Sequence, residues 1–122
     1  MISAGQIEYD QVCGTSDKKR DLQMLIREPA VAGAFYPADP EVLRRRVAEM
    51  LEKATVQDTR PKAIIVPHAG YIYSGELAAQ AYACLQAERE IIKTVVLLGP
   101  AHRVYFRGIA APAADAFRTP LG

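Results

Sequence analysis

His68 and His102, the only two histidines in this 122-residue chain, are the residues whose type and spacing could do chemistry together. His68 lies two residues after the aliphatic run Ala63, Ile64, Ile65, Val66, and His102 lies four residues after a second run, Val95, Val96, Leu97, Leu98. Neutral imidazole is a frequent metal ligand and a proton carrier. In open α/β sheets the loops beyond the C-terminal strand ends form the ligand crevice. Neighbouring strands there are about 4.8 Å apart, so two side chains leaving them can meet at one ion or one substrate group. A single histidine would as readily be structural, bonded to a loop carbonyl or capping a helix. The paired placement gives the shared site equal weight. Two imidazoles do not complete a site, because catalytic zinc takes three protein ligands and non-heme iron takes two histidines and a carboxylate. Glu76 and Asp115 are candidates for the third position. An acid in the first turn of a helix, as expected for Glu76, is already explained by the helix dipole, so the preferred third ligand lies beyond residue 122.

Between the histidines, the segment from Gly70 to Gly75 holds Tyr71, Tyr73 and Ser74 and leads into a helix. Backbone N–H groups near Ser74 could hold a phosphate or carboxylate, with Arg103 and Arg107 adding charge. No P-loop lysine and no G-x-G-x-x-G accompany the glycines, which argues against a nucleotide. Tyr71 and Tyr73 either rim the pocket or pack as ordinary aromatics. Cys13 and Cys84 form no C-x-x-C pair, and Cys84 reads as a small buried side chain within a helix.

These residues need a scaffold. Asp39 and Pro40 mark a helix start, and Val42, Leu43, Val47, Met50, Leu51 and Ala54 follow at helical spacing. Arg44, Arg45, Glu49 and Glu52 fill its solvated face. Before it, Pro29, Gly33, Pro37 and Pro40 punctuate an ordered loop anchored by Val31, Phe35 and Tyr36. Runs 63–66 and 95–98, four aliphatic residues each, suit strands covered on both faces, as in a parallel sheet. A helix over 76–86, capped by Ser74, connects them into a right-handed βαβ unit. A third strand is expected at 108–111, with loop from Pro112. Residues 1–26 are a polar extension with one weak apolar patch at Leu22, Leu25 and Ile26, and 27–122 are the body.

Half of the residues are apolar and 24% charged, a composition typical of a globular chain. Fifteen basic against fourteen acidic residues give a formal charge of +1, so neither nucleic acid nor an anionic membrane is an expected partner. Apolar runs are strand-sized, and a cytoplasmic location is expected.

Four ordered segments resemble the Memo family, called AmmeMemoRadiSam system protein B in prokaryotes. They are Arg27-Glu28-Pro29-Ala30-Val31-Ala32-Gly33-Ala34-Phe35-Tyr36-Pro37, Pro67-His68-Ala69-Gly70-Tyr71-Ile72-Tyr73-Ser74-Gly75, Gly99-Pro100-Ala101-His102 and Thr119-Pro120-Leu121-Gly122. The resemblance covers 27–122 and implies the N-terminal part of a Memo domain. It implies an α/β fold related to the class III extradiol ring-cleaving dioxygenases (LigB-like), with His68 and His102 as the first two ligands of an iron or copper site. Memo proteins typically add a cysteine from later in the domain, and the related dioxygenases a glutamate. The expected function is non-heme metal binding with a redox or dioxygenase-like role, inactive in this fragment. The alternative is a binding module for phosphorylated or acidic peptides at Tyr71, Tyr73, Ser74 and Arg103. An incomplete βαβ core would also leave sheet surface uncovered and favour self-association.

Overall fold

The structure, a computed structural model, describes residues 24–57 and 59–122. The expected extension lies outside the described residues up to position 23.

Helix α1 spans Pro40–Glu52. It begins where the sequence indicates, with the Asp39 carboxylate accepting the Val42 N–H at 2.8 Å and proline supplying the first helical residue. Leu43 and Met50 are buried, Val47, Leu51 and Ala54 half-buried, and the charged face is exposed, with Glu41 and Arg44 paired along it. Val42 departs from the expected apolar stripe and stays exposed.

Helix α2 spans Tyr71–Ala83, five residues earlier at its start than the expected 76–86. Ser74 does not cap it: Gly70 does, and Ser74 is buried inside the second turn. Tertiary contacts override the local preference of serine and glycine for a loop. Ala79 and Ala83 are buried against α1, and a Cβ on Gly75 would come within 2.5 Å of the Met50 sulfur. The small residues therefore allow the two helices to approach. A short 3-10 helix, Gln86–Glu88, follows, and Glu88 pairs with Arg60 at 3.1 Å.

The parallel sheet is found in a different place from the expected one. Strand β1 (Ile26–Arg27) pairs in parallel with β2 (Ala116–Phe117), Ile26 opposite Ala116. Three side-chain contacts reinforce this closure across some ninety residues. The Asp115 carboxylate accepts the Leu25 N–H at 2.8 Å, Arg118 bonds Glu28 at 2.6 Å, and the Arg27 guanidinium sits 5.6 Å from the Phe117 ring centre. The segment at 108–111 forms no strand, and β2 occupies part of the expected loop after Pro112.

Runs 63–66 and 95–98 take no regular secondary structure and form no ladder, so the expected βαβ unit is absent among the described residues. Ile65 is 99% exposed, and Val95 to Leu98 are between 69% and 84% exposed. Full burial of such side chains contributes roughly 1.5–3 kcal/mol each, stabilisation that Ile65 and run 95–98 do not obtain among the described residues, whereas Ile64 and Val66 are half-buried. A strand exists through its neighbours, and the described residues provide none for these runs. The chain thus has a mixed α/β fold with two packed helices and a small parallel sheet.

The α1 cap gives a direct test of this local account. Asp39→Ala should lower stability by about 1 kcal/mol, read as a shift in the urea midpoint of helical circular dichroism, and Asp39→Asn should recover most of it.

Candidate functional site

The His68 loop is held from two sides. A turn at 31–36 is closed by hydrogen bonds from the Gly33 N–H to the Tyr36 carbonyl (2.7 Å) and from the Phe35 N–H to the Val31 carbonyl (2.9 Å). Gly33 has φ of +82°, which glycine adopts without steric cost. The Phe35 carbonyl then accepts the Tyr71 N–H at 2.7 Å, taking one of the unpaired donors at the start of α2. The backbones pass close together at Gly70, where a Cβ would lie 3.4 Å from the Phe35 oxygen. From the other side the Ser74 hydroxyl donates to the Ala69 carbonyl at 2.8 Å and lies 3.4 Å from the Gly70 carbonyl. His68 is next to Ala69, so its backbone is set by these bonds. Of the expected loop anchors, Tyr36 is half-buried, with its ring centre 5.8 Å from that of Tyr71, while Val31 and Phe35 stay exposed.

His102 reaches the same place from the far end of run 95–98. The two Nε2 atoms are 3.0 Å apart, the ring centres 5.0 Å apart and the rings inclined by 38°. Both residues are exposed. In this arrangement one Nε2 carries a proton and donates to the other, and the assignment depends on the tautomers. Each imidazole presents the same nitrogen to a common point, which suits a shared proton or a shared cation.

The remaining expected site residues do not gather there as one set. Ser74 is buried and committed to the loop carbonyls. Tyr71 is half-buried against Tyr36, Tyr73 is 80% exposed on the first turn of α2, and Arg103 is exposed beside His102. Asp115, a candidate third ligand, is committed to the Leu25 N–H, and Glu76 is exposed on α2. Among the described residues no three His, Cys, Asp or Glu side chains come together as a metal cluster. Cys84 is half-buried at the C-terminal cap of α2, where its Sγ lies 3.5 Å from the Gln80 carbonyl, and Cys13 lies outside the described residues. Two open clefts of about 350 and 420 Å³ flank α2, and neither is lined by a histidine. Phe35, expected to anchor its loop through its side chain, is exposed and acts instead through its carbonyl, a role for which the sequence carries no signal.

Burial raises the Tyr71 hydroxyl above the ordinary tyrosine value, with the nearby Tyr36 and Tyr82 adding to the effect. A raised value in the folded state means that the unfolded chain releases this proton first. Its contribution to stability is complete below the ordinary value of about 10 and is lost as pH rises above it. Unfolding titrations across that alkaline window should therefore show a falling urea midpoint, with a shallower fall in Tyr71→Phe. An identical slope in the two proteins would contradict the burial effect.

Comparison with known proteins adds a family. The Memo-like protein family model matches residues 27–122. A MEMO1 family protein of Aquifex aeolicus is 46% identical over 99 residues, which are 81% of this chain and 36% of that protein. A MEMO1 family protein of Methanothermobacter thermautotrophicus is 42% identical over 106 residues, 80% of this chain and 38% of its own length. Protein MEMO1 of Xenopus tropicalis is 38% identical over 97 residues, 80% of this chain and 32% of that protein. The chain thus spans about a third of the length of these relatives. No solved structure matches it. No helix among the described residues is long and apolar enough to cross a membrane. The match over 27–122, together with these identities, establishes that the chain belongs to the Memo-like protein family.

Proposed function

We propose that His68 and His102 are two ligands of one metal site, iron or copper, in a Memo-like non-heme metal protein. The observation that carries the proposal is the 3.0 Å separation of the two Nε2 atoms. Two imidazole nitrogens each about 2.1 Å from a common ion are roughly 3.0 Å apart at a right angle and roughly 3.4 Å apart at a tetrahedral one. The observed spacing fits adjacent positions on one ion with little movement. Both nitrogens are exposed, and the His68 backbone is fixed by bonds that a ligand does not need to displace.

In this reading the chain's own residues supply positioning. Ser74, Gly70 and Phe35 hold the His68 loop, and His102 closes the pair from the end of run 95–98. The third ligand comes from the part of a Memo domain outside these 122 residues. Bound there, iron or copper would supply redox or dioxygenase-like chemistry, in keeping with a relation of the domain to the extradiol dioxygenases. Acid weakens binding because protons compete for the imidazole nitrogens.

Recognition of a phosphorylated or acidic peptide is the second reading, favoured by the exposure of Arg103 beside His102. It is the weaker one, because the donors expected at the α2 start are partly used. The Tyr71 N–H is bonded to Phe35 and the Ser74 hydroxyl to Ala69.

Elemental analysis after anaerobic purification tests the metal reading, on this chain and on a version extended to full Memo length. Stoichiometric iron or copper is expected in the extended protein, with loss in His68→Ala/His102→Ala. An extended, folded protein with no metal would overturn it and direct the next experiment to phosphopeptide titration.

A further inference from the structure

We propose that Ser74 is a positioning residue for the candidate site: its hydroxyl, acting through the Ala69 carbonyl, sets the His68 imidazole against His102. The proposal rests on the reading of the two histidines as one site and names the group that holds their spacing. Ser74 is the one buried polar side chain among the described residues. A serine inside a helix commonly turns its hydroxyl back to the carbonyl four residues earlier. Here that carbonyl, of Gly70, is 3.4 Å away, and the shorter bond of 2.8 Å passes over it to Ala69, outside α2. The other bonds at the helix entrance act later in the chain, the Tyr71 N–H donating to Phe35 and the Tyr73 and Ser74 N–H groups to Gly70. No backbone group of Pro67, His68 or Ala69 joins any further hydrogen bond among the described residues. The Ser74 hydroxyl is therefore the last fixed point before His68.

The imidazole depends on that point because little else supports it. His68 is exposed, and among the described residues its ring has one side-chain hydrogen-bond partner, His102. Ala69 is exposed as well, so its carbonyl, once released, turns to water and the loop that carries His68 turns with it. The helix itself does not need the serine. Alanine is the better helix former, and α2 already carries Ala78, Ala79, Ala81 and Ala83. A hydroxyl at a buried helical position that suits alanine, directed at a loop carbonyl next to a histidine, points to the site and not to the helix.

The test compares the 122-residue chain with Ser74→Ala and with Ser74→Thr, which keeps a hydroxyl able to bond backward along a helix. Because the chain has only two histidines, its imidazole proton signals are readily assigned. In the metal-free chain a nuclear Overhauser contact between the His68 and His102 rings is expected in the parent and in Ser74→Thr. It should be lost in Ser74→Ala, with the helical circular dichroism the same in all three. In the protein extended to full Memo length, copper affinity should fall about tenfold in Ser74→Ala and return in Ser74→Thr, the size of effect seen for groups that orient metal-bound histidines. An undiminished ring contact in Ser74→Ala would overturn the proposal. So would its loss together with the helical signal, which would make the role of the serine structural only. An extended parent protein that binds no copper would defeat the metal reading alone, and the ring contact, read without metal, still decides on Ser74.

Discussion

The hydrogen bond from the Tyr71 N–H to the Phe35 carbonyl, 2.7 Å long, is the constraint on which the candidate site depends. It fixes where α2 begins and ties that point to the turn at 31–36. A Cβ on Gly70 would lie in contact distance of Phe35, 3.4 Å from its oxygen, so the two backbones pass close together here. Ser74 then turns its hydroxyl back to the Ala69 carbonyl, so the His68 loop is held at the end that enters α2. A helix start buried without such partners would leave unpaired donors next to the imidazole. Position of the ring is thus a consequence of backbone bonding several residues away.

Beyond that knot, stability is distributed unevenly. Alanine and glycine on α2 let α1 come close, and four apolar side chains are buried between them. The β1–β2 pair closes the chain across a long loop, and the Asp115 and Arg118 contacts offset part of the closure entropy. Run 95–98, which leads to His102, gains nothing comparable, whereas Ile64 and Val66 before His68 are half-buried. His68 therefore rests on a well-bonded support, while His102 sits at the end of an exposed segment whose only described side-chain partner is His68 itself.

Much of this was legible in the sequence. Asp39 followed by Pro40 marked the α1 start because a carboxylate cap and a residue without an N–H are local devices that need no tertiary help. The meeting of His68 and His102 could be anticipated from their equivalent positions after two aliphatic runs. The start of α2 could not, since Ser74 and Gly75 favour a loop locally and are helical because α1 packs on them. Runs 63–66 and 95–98 carry a strand pattern, but pairing is a property of neighbours, and the described residues provide none. Strands β1 and β2 gave no signal because each is two residues long and is defined by its partner. The role of Phe35 was illegible for a related reason: a backbone carbonyl is common to every residue.

The central claim is that His68 and His102 bind one ion together. The most direct measurement is pulsed electron paramagnetic resonance of copper-loaded protein extended to full Memo length, reading the number of coupled imidazole nitrogens. Two equivalent imidazoles are expected, falling to one in either His68→Ala or His102→Ala. A spectrum that keeps both imidazole couplings when either histidine is removed, or that shows none in the parent protein, would contradict the account.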